Sequence, residues 1–321
     1  MTAPRISVCV STRDRSARLA RLLEALRAQT LQASELEVVV VDDGSTDDTW
    51  SLLSDAASAE GSRVIALRHE SSRGPAAGRN AAWRAARGEV VAFTDDDCVP
   101  APDWLEQALT AIDGQARVVV GRVDAPAEHR YRGSLFARGL VAGPAEVRWF
   151  ATANVIYRRA DLDTLGGFHE DFPAAAWEDT ELGLRAEDRG LEVVFGSHVR
   201  VVHDVVPVTA WQKARDQKRW GAVGLVVRLH PRVRHDMLYR RWFWKRTHVE
   251  LLAGVAGLGL AVRDRRWLAL ALPWLHARLC REARGQPVSE LGGALPGLLL
   301  VDAAEIAAMV RASVEHRTPI L

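Results

Sequence analysis

Residues 36–45 read LEVVVVDDGS, in which four consecutive valines, Val38 to Val41, end abruptly in two carboxylates and a glycine. Consecutive valines leave a strand with no polar face, so it must be covered on both sides, as in a parallel sheet between helical layers. The flanking chain supplies the covers. ISVCV, residues 6–10, is another strand-like run, and RSARLARLLEALRAQ after it sets Leu19, Leu22, Leu23 and Leu26 at helical spacing. The pattern repeats as a helix from about Asp47 to Ala59, the strand RVIALRH, a helix from Pro75 to about Arg87 and the strand EVVAFTDDD. Such alternation predicts an α/β fold with a mostly parallel sheet flanked by helices. Ligands of such sheets sit beyond the carboxyl ends of the strands. STRDR, DDGSTDDT and TDDDCVP each follow a strand directly, so the topology brings them to one rim.

Each of these segments carries chemistry. In DDGSTDDT, Ser45 to Asp48 suit a helix start, which leaves Asp42 and Asp43 at the strand tip, able to accept hydrogen bonds from a base or ribose. A dinucleotide fingerprint would need G-x-G-x-x-G after the first strand, where this chain has STRDRSAR. In SSRGPAAGRN, Arg73 and Arg79 bracket a turn into a helix, so backbone N–H groups and a guanidinium can face the rim. Asp95, Asp96 and Asp97 crowd three negative charges at the end of a buried strand, which calls for a compensating partner. A hard divalent cation shared with substrate phosphates fits that need.

Net charge is only +1, but residues 205–321 hold 19 Lys and Arg against 9 Asp and Glu, so the remainder is acidic. An acidic first part suits a cation-gathering site and a basic second part an anionic surface. Cys9, Cys98 and Cys280 are an odd number without metal-ligand spacing, which fits a reducing cytosol better than a disulfide-built secreted domain, so no bridge is expected. The N-terminus enters a strand without the long apolar core of a signal peptide, which predicts a cytoplasmic protein.

The order DDGSTDDT, RGPAAGRN, FTDDDCVP, GGF and WEDTELGLR, over roughly residues 5–205, resembles the inverting family 2 glycosyltransferases of the A-type (GT-A) fold. The resemblance implies a nucleoside-diphosphate sugar donor, a divalent cation (Mn²⁺ or Mg²⁺) and an acceptor hydroxyl. Carried over residue by residue, Asp43 meets the base and Ser11, Thr12 and Arg13 line the same pocket. Asp97 is the metal ligand, and Asp95 or Asp96 holds the ribose, the triplet allowing two registers. His203, in SHVRVVHD, matches a further metal ligand. Gly166 and Gly167 mark the acceptor turn, with Trp177 and Glu178 beside it, and Asp179 matches the catalytic base. Its chemistry is concrete: an acceptor hydroxyl must lose its proton as it attacks the anomeric carbon.

The first 206 residues are therefore expected to form a GT-A-like catalytic domain and residues 207–321 a basic, Trp-rich helical extension. Leu251 to Val262 and Trp267 to Leu275 are apolar runs too short to span a bilayer. Trp and Arg around short apolar helices suit either peripheral contact with a membrane interface or packing within the unit or against a second subunit. A cell-envelope glycan or lipid-linked acceptor is the matching expectation. The alternative is a non-catalytic sugar-nucleotide binder or membrane-associated assembly partner on the same fold. The acidic rim would repel phosphate without a metal, so nucleic acid is not an expected partner.

Overall fold

The computed structural model describes residues 3–127, 136–172, 174–281 and 288–321, with side chains described outside 280–292. Its first unit, residues 3–127 with 139–205, is α/β. β1 (Ile6–Thr12), α1 (Ser16–Arg27), β2 (Leu36–Asp42), α2 (Thr49–Ser58), β3 (Val64–Arg68), α3 (Pro75–Ala85) and β4 (Val90–Phe93) alternate strictly. β5 (Cys98–Pro100), α4 (Trp104–Asp113), β6 (Val118–Asp124), β8 (Val155–Arg158), α5 (Arg159–Leu165), α6 (Glu178–Asp188) and β9 (Val193–His203) follow, while β7 (Ala137–Arg138), between β6 and β8 in the chain, belongs to the second unit.

Eight strands form one sheet in the order β3-β2-β1-β4-β8-β6-β9-β5. The β1–β4 half is parallel throughout, and β8 enters antiparallel between β4 and β6. Alternate side chains serve opposite layers, as the pleat requires. Ile6, Val8, Val10, Val38 and Val40 pack with Leu19, Leu22, Leu23 and Leu26 of α1 and with α4. Cys9, Val39 and Val41 face the other layer, where Ala82 and Trp83 of α3 meet Phe93 and Leu182. Each fully buried leucine contributes roughly 1.5–3 kcal/mol. Cys9 and Cys98 are buried free thiols, and Cys280 lies outside the described side chains.

Sequence pattern predicts a strand over Phe150–Tyr157, and the structure differs. Phe150 is left-handed at φ 50°, Thr152–Asn154 form a 3₁₀ turn, and the strand starts only at Val155. Asn154 explains the break. Its fully buried amide accepts from Trp104 Nε1 at 2.9 Å and donates to the carbonyls of Arg122 and Val199, each at 2.9 Å. Those carbonyls flank the irregularity between Gly121 and Arg122 in the β6–β9 pairing. A Cβ at Gly121 would stand 2.2 Å from Asn154 Nδ2, so the contact needs glycine.

The second unit, residues 136–138 with 206–321, is mainly helical. β10 (Val206–Pro207) pairs with β7. α7 (Ala210–Asp216), α8 (Val223–Leu229), α9 (Val233–Asp236), α10 (Arg246–Leu260), α11 (Leu272–Arg281) and α12 (Val288–Glu315) follow. Gly293–Glu315 of α12 is long and apolar enough to cross a membrane by length and composition. Yet Asp302 and Glu305 point inward and are buried. Asp302 accepts from Trp274 Nε1 at 2.7 Å and pairs with Arg278, while Glu305 pairs with Lys245 at 2.7 Å and His248 at 3.2 Å. Buried charges require such partners, so these pairs fix which face of α12 points into the unit.

Candidate active site

Register brings the strand ends together: Thr12 pairs with Asp42 across β1–β2, and Cys9 with Phe93 across β1–β4. The following segments therefore share one rim. Thr12 Oγ1 donates to Asp96 Oδ2 at 2.7 Å, and the Thr46 N–H donates to Asp14 Oδ1 at 2.7 Å. A Cβ at Gly78 would meet Ser11 Oγ at 2.1 Å, so glycine lets α3 approach the end of β1.

The aspartate triplet resolves into three separate engagements. Asp95 Oδ1 accepts from Arg79 Nη2 at 2.9 Å. Burial opposes its charge, but the Arg79 guanidinium holds the carboxyl below the usual carboxylate range. Asp96 is 3% exposed and accepts from Thr12 and, at 2.6 Å, from Arg15 Nη1. Burial wins there and pushes its carboxyl up despite Arg15. Asp97 Oδ2 accepts from Arg15 at 3.1 Å and Arg18 at 3.4 Å, and its Oδ1 lies 3.3 Å from His203 Nε2.

Arg79, almost fully buried at the start of α3, reaches the first turn of α6 as well. Its Nη1 donates to Glu178 Oε1 at 2.6 Å, so one guanidinium bridges Asp95 and Glu178. Glu178 Oε2 is buried with no hydrogen-bond partner among the described residues. Burial raises the Glu178 carboxyl against the pull of Arg79. Next to it, Asp179 is pushed up to about 7, by burial first and the adjacent Glu178 charge second. The N–H groups of Thr180, at 2.7 Å, and Thr152, at 3.3 Å, orient its two oxygens. Trp177 caps this helix in the left-handed region at φ 77° and meets Trp149 edge-on, ring centroids 5.6 Å apart.

Several expected site residues hold structure as well. Asp43 accepts from His69 Nδ1 and Ser72 Oγ, both at 2.7 Å, and from the N–H groups of Arg73 and Gly74, both at 2.9 Å. Burial raises its carboxyl, but these donors together bring it below the usual range. A carboxylate has about four acceptor positions, so here Asp43 is fully engaged in folding the 69–74 loop. Arg13 turns outward to Asp14 at 3.5 Å, and it is Arg15 that reaches the triplet. Gly166 and Gly167 both have positive φ, and a Cβ at Gly167 would meet Asn80 Oδ1 at 2.5 Å. Arg185 of α6 donates to the carbonyls of Leu165 and Gly167, tying this turn to the Glu178–Asp179 helix. Arg15 and Arg18 were not singled out from the sequence, although Arg15, Arg18 and Arg21 stand three apart from the start of α1. That spacing puts a basic stripe on one helix face at the rim.

The donor set around Asp97 suits a hard or borderline cation. His203 Nδ1 sits 2.7 Å from the Asp204 carbonyl oxygen, a contact that requires an N–H there. In neutral His203 the Nε2 lone pair then faces Asp97 Oδ1, and two acceptors converge on one point. A carboxylate oxygen with an imidazole nitrogen fits Mn²⁺, and Mg²⁺ with more of its ligands from phosphate and water. Cys98 is also close, but it is fully buried, and a soft thiolate is a poorer match for Mn²⁺ or Mg²⁺ than oxygen donors are.

Residues 7–169 match the family model of Glycosyl transferase family 2, and residues 90–279 that of Glycosyl transferase family group 2. Glycosyltransferase AglE of Haloferax volcanii is 26% identical over 221 residues, covering 64% of this chain and 69% of its own length. Validoxylamine A glucosyltransferase of Streptomyces hygroscopicus subsp. jinggangensis is 30% identical over 224 residues, 59% of this chain, which spans only about half (52%) of that relative. Among solved structures, mannosyltransferase PcManGT from Pyrobaculum calidifontis, in complex with GDP-Man and Mn²⁺, superposes with a TM-score of 0.60. It is 24% identical, and the match covers 98% of this chain and 88% of that one, a likeness of fold.

Proposed function

Because the chain belongs to glycosyl transferase family 2 and is a glycosyltransferase with a GT-A fold, we propose that it moves a sugar from a nucleoside-diphosphate donor to an acceptor hydroxyl with inversion. The observation that carries this reading is the Asp95–Arg79–Glu178 bridge, which ties the strand-end aspartates to the helix bearing Asp179. Donor and acceptor groups thereby share one rigid frame.

Asp97 and His203 would hold the cation, which when bound offsets charge on the leaving diphosphate. Thr12 positions Asp96, and Asp95 and Asp96 remain the two candidates for the ribose. Ser11, Arg13 and the loop folded around Asp43 flank the base. Asp179, with its carboxyl near neutrality, takes the proton of the acceptor hydroxyl. Direct attack of that hydroxyl inverts the anomeric centre and uses no enzyme nucleophile. Glu178 Oε2, buried and unengaged, is suited to accept a hydrogen bond from the acceptor beside Trp177, with the Gly166–Gly167 turn bracing their helix.

The division of labour we propose is a catalytic domain of residues 1–206 and an extension of residues 207–321 that makes peripheral contact with the cytoplasmic face of the membrane. That placement suits an envelope-glycan or lipid-linked acceptor. Pairing of two extensions in a homodimer is the competing use of the same helices. A thermal-shift screen of UDP- and GDP-sugars with Mn²⁺ tests the donor claim. One sugar nucleotide should raise Tm by about 5 °C at a hundredfold excess over Kd, and no shift with any of them would count against it.

A further inference from the structure

The peripheral contact proposed above names no surface, and the second unit offers one. Among the described residues, every exposed large apolar side chain except Val141 belongs to that unit. They concentrate where α10 turns into the Arg265–Ala271 segment. Leu252, Val255, Leu258 and Val262 are exposed on α10 and just past its end, Val262 at 90%. Trp267, Leu268 and Leu272 are exposed on the returning arm.

A helix at a protein surface ordinarily turns charged residues outward. Residues 251–262, LLAGVAGLGLAV, contain no polar side chain at all, so the outward face is as apolar as the inward one. The inward face is accounted for. Leu251 packs with Trp274 and Leu298, and a Cβ at Gly257 would stand 2.5 Å from the Trp267 carbonyl oxygen. Glycine thus clamps the two arms into one hairpin, and its apolar outer face is a property of the folded unit.

Charge surrounds the tip. Arg263, Arg265 and Arg266 are all exposed, and the one carboxylate between them, Asp264, pairs with Arg266 at 2.8 Å. Arg263 and Arg265 have no carboxylate partner among the described residues. Apolar side chains beside a cluster of arginines at the turn, with a tryptophan next to it, match an anionic lipid surface, where the indole lies at headgroup depth and the aliphatic groups just beneath. Twelve helical residues reach about 18 Å, short of the roughly 30 Å hydrocarbon core, so the hairpin lies in one leaflet.

We propose that the α10 hairpin, Leu252 to Leu272, is a monotopic docking surface for anionic phospholipid. This inference rests on the membrane placement above and is independent of which sugar is transferred. The test is flotation of the full chain with phosphatidylcholine vesicles, with and without phosphatidylglycerol. Wild-type protein should float with the anionic vesicles. Arg263→Glu with Arg265→Glu should weaken binding roughly thirtyfold or more, given the attraction per basic residue. Leu258→Asp with Val262→Asp should abolish flotation while sugar-nucleotide thermal shifts stay unchanged. Asp179→Asn should float normally, which separates docking from catalysis. Wild-type protein left in the soluble fraction would overturn the proposal. So would flotation of both hairpin variants at the wild-type level, or a wild-type dimer that Val262→Asp dissociates without affecting vesicle binding.

Discussion

Replacing Asp179 by asparagine should lower kcat by roughly 10²–10⁴-fold while leaving donor binding near the wild-type level. Asparagine keeps the size and, through its one carbonyl oxygen, a single acceptor for the Thr180 or Thr152 N–H, but it cannot take a proton. The pH dependence carries a matching signature. The carboxyl is raised to about 7, so the basic form gains population as pH rises through that value. Turnover should therefore climb between about pH 6 and 8 and then level off, and Asp179→Asn should flatten this limb. Stability runs the other way. A carboxyl raised by folding favours the folded state when protonated, and that contribution fades as pH rises from its ordinary 3.8 through about 7. Asp179→Asn removes a partly buried charge that sits beside Glu178, so above pH 7 it should melt no lower than wild type. Full activity with Asn at this position would move the base elsewhere.

Arg79→Met should be the most destabilising change at the site, costing roughly 3–5 kcal/mol by denaturant titration. The substitution leaves the buried Glu178 and the partly buried Asp95 without their shared counter-charge, and methionine fills the space without replacing it. Arg79→Lys should recover only part of the loss, because one ammonium cannot span two carboxylates as a planar fork does. The sign with pH follows from Asp95. Its carboxyl is lowered in the fold, so its stabilising pairing is present above the ordinary 3.8 and is lost as pH falls below it. The gap between wild type and Arg79→Met should accordingly narrow at low pH. A constant gap would point to packing rather than charge.

The β1–β4 alternation was legible because continuous valine runs and leucines at helical spacing are local signals. Legible too was the convergence of three acidic or polar segments, since parallel topology puts every strand end on one side. The Phe150–Asn154 turn was not, because its apolar and small residues look strand-like and its cause, the Asn154 amide, acts on Trp104 and Val199 far away in sequence. Nor did the sequence show what satisfies each aspartate. Arg15 and Arg18 reach the triplet across about 80 residues, and only the fold reveals that Asp43 spends its acceptor positions on its own loop. Long charged side chains choose partners by tertiary proximity, which periodicity does not record.

The proposed function requires the rim around Asp97 and Asp179 to bind a nucleoside diphosphate through a shared cation. Calorimetric titration of UDP and GDP into the protein, in Mn²⁺ and again in excess chelator, tests it most directly. One of the two nucleotides should bind in Mn²⁺, with affinity falling roughly 10–100-fold on chelation and on Asp97→Asn in the presence of metal. Binding that is indifferent to both chelator and Asp97→Asn, or absent for both nucleotides, would contradict it.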